Sequence, residues 1–261
     1  MRASTTLTGF RLGPCRPKIH AELAVEWDRL AEERHRQIVS GEDLSFDHVL
    51  VPTTLRLLET ADKTLVLDIG SGTGDFTARL ARIAVSVIGI EPSGASLVLA
   101  SKTCHETKNV RFIHAPLEEA VDMLHGEPAT AAVAAMTLMT TPDLMRFAEA
   151  LSRLLDIGGT FVATLAHPWF WPRYWGYEAE AWFSYPKEIF IEAPFEISRR
   201  RTQLITTHIH RPLEHYVSIF ASFGFSLDAL LEPMPLPDIE VMYPKPWQFP
   251  RFVALRWTKY H

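Results

Sequence analysis

Two carboxylates and three glycines follow two short apolar runs in the first half of the chain. Asp68 closes the first run and precedes the alternating glycines of Gly70-Ser71-Gly72-Thr73-Gly74. Glycines at a strand-to-helix turn let a ligand approach main-chain N–H groups that no Cβ obstructs. Glu91 closes the second run about 20 residues further on, the distance at which an acid accepts ribose hydroxyls in a nucleotide-binding βαβ unit. The combination predicts a nucleoside-type cofactor site.

The glycine spacing distinguishes between two classes of cofactor. A dinucleotide fingerprint requires Gly-x-Gly-x-x-Gly, whereas here the third glycine is Gly74 and Asp75 follows it. Asp68 stands two residues before the first glycine, where its charge repels a pyrophosphate but accepts hydrogen bonds from an ammonium group. The pattern therefore favours S-adenosylmethionine over NAD.

With these motifs, the chain resembles the class I S-adenosylmethionine-dependent methyltransferases that act on small molecules. The segments VLDIGSGTGDFTARLA and VIGIEPSGASLVLA are similar to the family's first two motifs, and they are specific in combination. Weaker similarity lies in VRFIHAPLEEA and in LSRLLDIGGTFVATLAHP, and the resemblance runs from about Trp27 to the end of the chain. It implies a methyl transfer to oxygen, nitrogen or carbon of a specialised metabolite.

The resemblance also implies a set of cofactor contacts. Asp68, Gly70 and Gly72 would surround the methionine moiety, and Glu91 would bind the ribose. The complete implied set is Trp27, Asp68, Gly70, Ser71, Gly72, Glu91, Pro92, Leu117, Met136 and Thr137. In this set Pro92 and Leu117 would flank the adenine ring, and Met136 and Thr137 would lie where the fourth strand opens toward the substrate.

One departure from the family concerns the adenine amino group. Many members carry Gly-Asp where this chain has Ala115-Pro116, and that Asp accepts a hydrogen bond from the adenine. Proline offers neither an N–H nor an acceptor side chain, so the contact must come from a carbonyl, from Glu118 or from water.

An aromatic segment follows the fifth predicted strand, at residues 167–190. Rings on a loop-like insertion at the active-site end favour a pocket for an apolar or aromatic substrate. The alternative is that the rings merely cover the edge of the sheet. The residues predicted to line the substrate pocket are Trp169, Trp171, Tyr174 and Tyr185.

Methyl transfer mainly requires alignment of the nucleophile and the methyl group, and a base is needed only for a protonated acceptor. Two histidines near predicted strand ends, His167 and His210, are the candidate catalytic bases because an imidazole has a suitable pKa. His208 and His210 alternate as on a strand, which suggests zinc, but no third ligand is apparent and no metal is predicted. The third possibility is that the reaction needs no base.

The elements that position these residues alternate between strands and helices, which predicts an α/β fold. The prediction is a Rossmann-like seven-stranded mixed sheet of five parallel strands followed by an antiparallel pair, with an N-terminal helical cap and an aromatic lid insertion. Residues 19–261 form one predicted methyltransferase domain, with the cap at 19–61 and the lid at 167–210, after a flexible arm at 1–18. The predicted strands are 64–69, 85–91, 109–114, 130–136, 159–166, 225–231 and 250–260, and a Pro-rich loop without a helix joins the last two.

The net charge of −5 over 261 residues argues against a dedicated nucleic-acid binder, so no nucleic-acid partner is expected. Two cysteines, Cys15 and Cys104, suggest a reducing compartment, and no apolar stretch approaches the length of a membrane span. We therefore predict a cytoplasmic enzyme with a small-molecule substrate and no membrane partner. We make no prediction of its oligomeric state. The first 20 residues, acid-free until Glu22, resemble a transit peptide in composition, although a flexible arm is preferred. RNA or protein methyltransferases, and a non-catalytic cofactor-binding module, stay open as alternatives.

Overall fold

The computed structural model describes residues 12–124, 126, 128–197 and 201–261, with Arg201 described by its backbone alone. In chain order the elements are β1 (Gly13–Pro14), α1 (His20–Val39), a π-helical turn (Phe46–Leu50), α2 (Val51–Leu57), β2 (Leu65–Ile69), α3 (Asp75–Leu80), β3 (Ser86–Ile90), α4 (Gly94–Thr103), β4 (Val110–Ile113), α5 (Leu117–Met123), β5 (Ala129–Ala135), a 3-10 turn (Leu138–Thr140), α6 (Leu144–Leu154), β6 (Leu155–Ala166), α7 (Phe170–Trp175), β7 (Ile189–Glu196), β8 (Arg201–His210), α8 (Leu213–Ser222), β9 (Phe225–Leu231), α9 (Pro237–Glu240) and β10 (Phe252–Lys259).

Seven of these strands form one sheet in the order β4-β3-β2-β5-β6-β10-β9. The pairs among β4, β3, β2, β5 and β6 are parallel, whereas β10 is antiparallel to both β6 and β9. The predicted α/β fold with five parallel strands and an antiparallel final pair is confirmed. The segment between β9 and β10 nevertheless holds the four-residue helix α9, so the expectation of a loop without any helix there is wrong.

The central strand β2 explains why the sheet is covered on both faces. Val66 packs into a cluster with residues of α2 and α3, and Leu67 packs into a second cluster with residues of α5, α6 and α8. Alternate side chains of a strand point to opposite faces, so a run that is apolar at successive positions requires helices on both sides. Such a sheet gathers ligands at the carboxyl ends of its strands.

A second sheet of three strands, in the order β1-β7-β8, lies in the segment that the sequence suggested was a loop-like lid. β7 and β8 form an antiparallel hairpin, and Gly13 of β1 pairs with Glu192 of β7. Lys18 pairs with both Glu192 and Glu26, so Gly13, Pro14 and Lys18 of the predicted arm contact this sheet or α1. Residues 1–11 of the predicted arm lie outside the described part of the chain.

Helix α1 connects the two sheets. The Asp28 carboxylate accepts hydrogen bonds from the Ser93 hydroxyl at 2.7 Å and the Ala95 N–H at 3.0 Å, at the start of α4. Two residues earlier, the Glu26 carboxylate accepts the Thr207 N–H of β8 at 2.7 Å. Helix α1 is therefore held both by the start of α4 and by β8 of the three-stranded sheet. In the described ranges, no helix is long and apolar enough to cross a membrane.

Candidate functional site

The glycine-rich turn after β2 adopts left-handed backbone conformations at Gly70 and Gly72, with φ of +71° and +53°. A Cβ at Gly70 would lie 2.3 Å from the Thr137 hydroxyl oxygen, whereas a Cβ at Gly72 would meet no atom within 4 Å. Gly70 is therefore required by packing against Thr137. Gly72 keeps space open above the turn, which is the property that a ligand approaching the backbone requires.

Asp68 lies at the carboxyl end of β2 and is only 1% exposed. One carboxylate oxygen accepts the Thr77 hydroxyl of α3 at 2.6 Å. Burial raises the pKa of Asp68 to about 6, because desolvation disfavours the charged form more than this hydrogen bond favours it. A cationic ligand beside Asp68 would restore the charged form.

Glu91 lies at the carboxyl end of β3 and bridges two backbone segments. Its oxygens accept the Gly72 N–H and the Ser93 N–H, each at 2.8 Å. Burial raises the pKa of Glu91 to about 7, and the nearby carboxylates of Asp68 and Asp28 contribute to the increase. A carboxylate has about four acceptor positions, so two backbone bonds leave capacity for ligand hydroxyls.

These groups line a first cavity that encloses about 1320 Å³ of empty space, part of it open to solvent. All of the residues predicted to contact a cofactor are brought together in its lining, namely Trp27, Asp68, Gly70, Ser71, Gly72, Glu91, Pro92, Leu117, Met136 and Thr137. They come from α1, from the end of β2 and from the segments that follow β2, β3, β4 and β5. Residues distant in sequence thus converge on one cavity at the carboxyl edge of the sheet.

Two buried oxygen atoms in this cavity have no hydrogen-bond partner among the described residues. One is the Ser71 hydroxyl, and the other is the second carboxylate oxygen of Glu118. The first Glu118 oxygen lies 3.2 Å from Nε2 of His20. An unsatisfied buried acceptor is costly, so both atoms are positions where a ligand donor would be favourable. Two buried carboxylates, the open space at Gly72 and these atoms fit a cationic nucleoside cofactor.

A second cavity of about 1050 Å³ adjoins the first, since both are lined by Trp27 and Met136. Its walls come from α1, α7, the β7–β8 hairpin and the start of β10, and include Trp171, Tyr174 and Arg251. Met136, at the end of β5, has a φ of +59° although it is not glycine. Such strain persists only where the surrounding structure imposes it, and it is frequent at functional sites.

Of the four predicted substrate residues, Trp171 and Tyr174 line this second cavity, but Trp169 and Tyr185 line neither cavity. The Trp169 side chain is 61% exposed, and its ring contacts the Tyr185 ring edge-on at 5.0 Å. The Tyr185 hydroxyl accepts the Leu213 N–H at 3.1 Å, which fixes it to the start of α8. Trp171 and Tyr174 of the predicted pocket wall therefore line the second cavity, whereas Trp169 and Tyr185 contact each other outside both cavities.

His167, one of the two predicted candidate bases, lies just before α7 and contacts other protein groups there. Its Nδ1 accepts the Trp169 N–H at 3.2 Å, at the start of α7, and its Nε2 lies 2.8 Å from the Glu232 carboxylate. Both ring nitrogens are thus engaged within the protein, and the ring lines neither of the two cavities. We interpret His167 as a cap of α7. Burial lowers its pKa, even though Glu232 favours the charged form.

His210 is likewise outside both cavities, and its Nε2 lies 2.9 Å from the Tyr185 carbonyl oxygen. His208 lines the second cavity, with its Nε2 3.2 Å from the Tyr177 hydroxyl. Burial lowers the pKa of His208 to about 3, so this imidazole is neutral and weakly basic. In the described residues, no cluster of three metal-ligating side chains accompanies these histidines.

Sequence reasoning missed two arginines of the site. Arg34 of α1 lines both cavities and pairs with Asp43 at 2.7 Å. Arg251 precedes β10 and is 6% exposed. Arg34 lies in a helix rich in charges and Arg251 follows a Pro-rich loop, so no local pattern distinguishes either residue from a solvated cation.

Comparison with known proteins gives three findings. A family model described as "Methyltransferase domain" matches residues 66–159. The yeast protein "Probable S-adenosylmethionine-dependent methyltransferase CRG1" (Saccharomyces cerevisiae) is 33% identical over 120 residues. This similarity covers 45% of the chain and 40% of the yeast protein, which is well under two thirds of the relative's length.

The fold is also similar to solved structures. An S-adenosylmethionine-dependent methyltransferase from Mesorhizobium loti has a TM-score of 0.59 at 18% identity, covering 80% of this chain and 96% of that one. The Burkholderia thailandensis 1,6-didemethyltoxoflavin-N1-methyltransferase, bound to 1,6-didemethyltoxoflavin and S-adenosylhomocysteine, has a TM-score of 0.59 at 15% identity. That similarity covers 96% of this chain and 95% of the other. At such low identity, the structures demonstrate a shared fold.

Proposed function

Because the chain belongs to the class I S-adenosylmethionine-dependent methyltransferases, we propose that it transfers a methyl group to oxygen, nitrogen or carbon of a small apolar or aromatic molecule. One observation carries this proposal: the cavity lined by Asp68 and Glu91 adjoins a second, aromatic cavity through the shared walls Trp27 and Met136. A donor and an acceptor bound in adjoining cavities meet the main requirement of a methyl transfer, which is alignment.

The cofactor is S-adenosylmethionine, in agreement with the prediction from the glycine spacing. When bound, it supplies a methyl group on a positively charged sulfur. We propose that Asp68 binds the ammonium group of the methionine moiety and that Glu91 accepts the ribose hydroxyls. The second oxygen of Glu118 is buried without a partner in the described structure. We propose that it accepts a hydrogen bond from the adenine amino group, a role that an Asp absent from this chain has in many family members.

The second cavity supports a small-molecule acceptor. Its walls combine aromatic rings such as Trp171 and Tyr174 with polar side chains such as Arg251, and small-ligand pockets likewise pair rings with a few placed polar groups. The net charge of −5 offers no support for an RNA acceptor. The Burkholderia neighbour, which contains bound 1,6-didemethyltoxoflavin, is consistent with this class of acceptor.

We propose that alignment, rather than deprotonation by a histidine, is this protein's contribution to the transfer. Both ring nitrogens of His167 and the Nε2 of His210 are engaged outside both cavities, and the pKa of His208 is lowered to about 3 by burial. The acceptor atom would then be nucleophilic before it binds. The cavity walls would hold it against the methyl group and exclude water. We further propose that residues 19–261 act as one domain, in the cytoplasm and in specialised metabolism.

A tritiated-methyl assay separates the alternatives. The full chain is incubated with labelled cofactor and a pool of aromatic metabolites, a pool of RNA or a pool of peptides. Label in the metabolite pool supports the proposal, whereas label in RNA or peptide supports a macromolecular methyltransferase. Calorimetric binding of S-adenosylhomocysteine without label in any pool would indicate a non-catalytic binding module.

Two variants sharpen the assay. Asp68→Asn preserves the shape of the side chain but removes the charge that would face the ammonium group, so it should weaken binding of the cofactor about 10-fold or more. Glu119→Gln removes the same charge from an exposed position next to Glu118, outside the cavity lining, and should leave binding unchanged. Equal affinities of the two variants would contradict the role of Asp68.

A further inference from the structure

A buried arginine, Arg251, lines the second cavity. Arg251 is 6% exposed, and its guanidinium forms no ion pair with the residues that the structure describes. Its side-chain hydrogen bonds are long: it donates to the Lys245 carbonyl oxygen at 3.2 Å and to the Tyr174 hydroxyl at 3.4 Å. A guanidinium carries five N–H donors, so these contacts leave donor capacity unused.

Aromatic rings hold this guanidinium in place. Its central carbon lies 4.3 Å from the centre of the Tyr174 ring and 4.4 Å from the centre of the Trp247 ring. Such contacts orient a planar cation but do not neutralise it. Desolvation lowers the pKa of Arg251, although the Glu240 carboxylate nearby acts in the opposite direction. The fold thus retains a costly buried charge at a cavity wall.

Among the charged side chains that line the cavity, Arg251 is a cation to which no described carboxylate is paired. Arg34 is paired with Asp43, and Glu196 also faces the cavity. Trp175 adds a second donor, because it lines the same cavity and its buried indole N–H has no partner among the described residues. The wall therefore combines one oriented cation, one N–H donor and several aromatic rings.

We propose that the acceptor of this enzyme carries a carboxylate and that Arg251 binds that carboxylate in the second cavity. The proposal rests on the function proposed above and specifies its substrate class as an aromatic or apolar carboxylic acid. The planar fork of a guanidinium matches a carboxylate, and a single cation balances a single negative charge. A phosphate ester carries more charge than this wall neutralises, so it is the less suitable anion and becomes an arm of the test.

The test measures binding of three probes to the full chain saturated with S-adenosylhomocysteine. The probes are cinnamate, cinnamamide, which is a neutral analogue of the same shape, and phenyl phosphate. Quenching of tryptophan fluorescence or calorimetry reports affinity. We expect cinnamate to bind about 10- to 100-fold more tightly than cinnamamide, the range for a hydrogen bond to a charged group.

Variants separate recognition from packing. Arg251→Gln should abolish the preference for the acid, Arg251→Lys should retain part of it, and Arg173→Gln should retain all of it. Arg173 is a matched control because its guanidinium also lies over a ring, that of Phe249 at 5.6 Å, but it lines neither cavity. Affinity for S-adenosylhomocysteine should be the same in all variants, which a general loss of folding would not allow.

Several outcomes would overturn the proposal. These are equal binding of acid and amide, a preference for phenyl phosphate, a preference for the acid that survives in Arg251→Gln, or no binding of cinnamate at about 10 mM by protein that binds S-adenosylhomocysteine. Failure to bind S-adenosylhomocysteine would instead contradict the proposed function itself. The two failures are therefore distinguishable.

Discussion

Affinity for S-adenosylhomocysteine should increase with pH because Glu91 is buried and uncharged over part of the physiological range. In the unliganded protein its pKa is raised to about 7. A carboxylate accepts ribose hydroxyls better than a carboxylic acid does, so binding selects the ionised form. From pH 8 to pH 6 the ionised fraction falls from about 90% to about 10%, which weakens affinity about tenfold.

Asp68 adds to this dependence. Its pKa is raised to about 6, so half of it is protonated at pH 6, and this contributes about a further factor of two. Glu91→Gln should lower affinity at pH 8 by about 10- to 100-fold and leave only the smaller dependence that belongs to Asp68. Glu119→Gln, at an exposed position of α5, should retain the complete pH dependence of the wild type.

Calorimetric titration at pH 6, 7 and 8 measures these affinities directly. The same experiment in buffers of different ionisation enthalpy should show that protons are released on binding near pH 6.5. Affinity that is constant between pH 6 and pH 8 would refute the reasoning. Retention of the wild-type pH dependence in Glu91→Gln would also do so, and would assign the titrating group elsewhere.

The raised pKa values also predict how the stability of the unliganded protein varies with pH. Glu91 titrates at 4.5 in the unfolded chain and at about 7 in the folded protein, so between these values the folded state binds more protons. Its contribution to the free energy of unfolding is complete below pH 4.5 and is lost as pH increases through 7, on the order of 3 kcal/mol. Denaturant unfolding at pH 5 and pH 7.5 checks this sign.

Three further predictions concern the turn, the cap and the aromatic segment. Gly70→Ala should destabilise the protein by about 2–3 kcal/mol in thermal unfolding because its Cβ would overlap the Thr137 side chain. Gly72→Ala should lower stability by only about 1 kcal/mol but should strongly weaken S-adenosylhomocysteine binding in calorimetry. His167→Ala should lower stability by about 1–2 kcal/mol because a helix cap is lost, and it should leave the shape of the pH–rate profile unchanged. Loss of one limb of that profile in the variant would instead assign His167 as the base. Trp171→Ala should change the turnover of the acceptor while cofactor affinity stays intact. Tyr185→Ala should lower thermal stability and activity in parallel. The reverse pattern in the turnover and stability measurements would contradict the assignment of cavity walls.

The fold was predictable because its signals are local. The apolar run before Asp68 and the glycine turn after it define a strand, a turn and a helix within a dozen residues, and the same pattern recurs before Glu91. Parallel strands then bring the two acids to one edge of the sheet. The convergence of the predicted cofactor residues at the strand ends follows from this topology, whereas Trp27 is brought to the cavity by α1.

The acceptor side was not predictable in the same way. The β7–β8 hairpin is fixed by pairing with residues 13 and 14 and by Lys18, more than 170 positions away in the chain. Aromatic density at residues 167–190 indicates rings but not their direction, which is why Trp171 lines the cavity and Trp169 does not. The role of His167 depends on a contact with Glu232, which no local pattern indicates.

The position of α1 has a thermodynamic consequence. Trp27 of this helix is a wall of both cavities, and Glu26 and Asp28 on either side of it hold the helix to β8 and to α4. A ligand that shifts or immobilises α1 therefore changes the free energy of binding at the neighbouring cavity. Because such coupling is reciprocal, S-adenosylhomocysteine should alter the affinity for an acceptor by the same factor by which the acceptor alters the affinity for S-adenosylhomocysteine. The two binding events of this enzyme are then one linked equilibrium, with a single helix as the element that joins them.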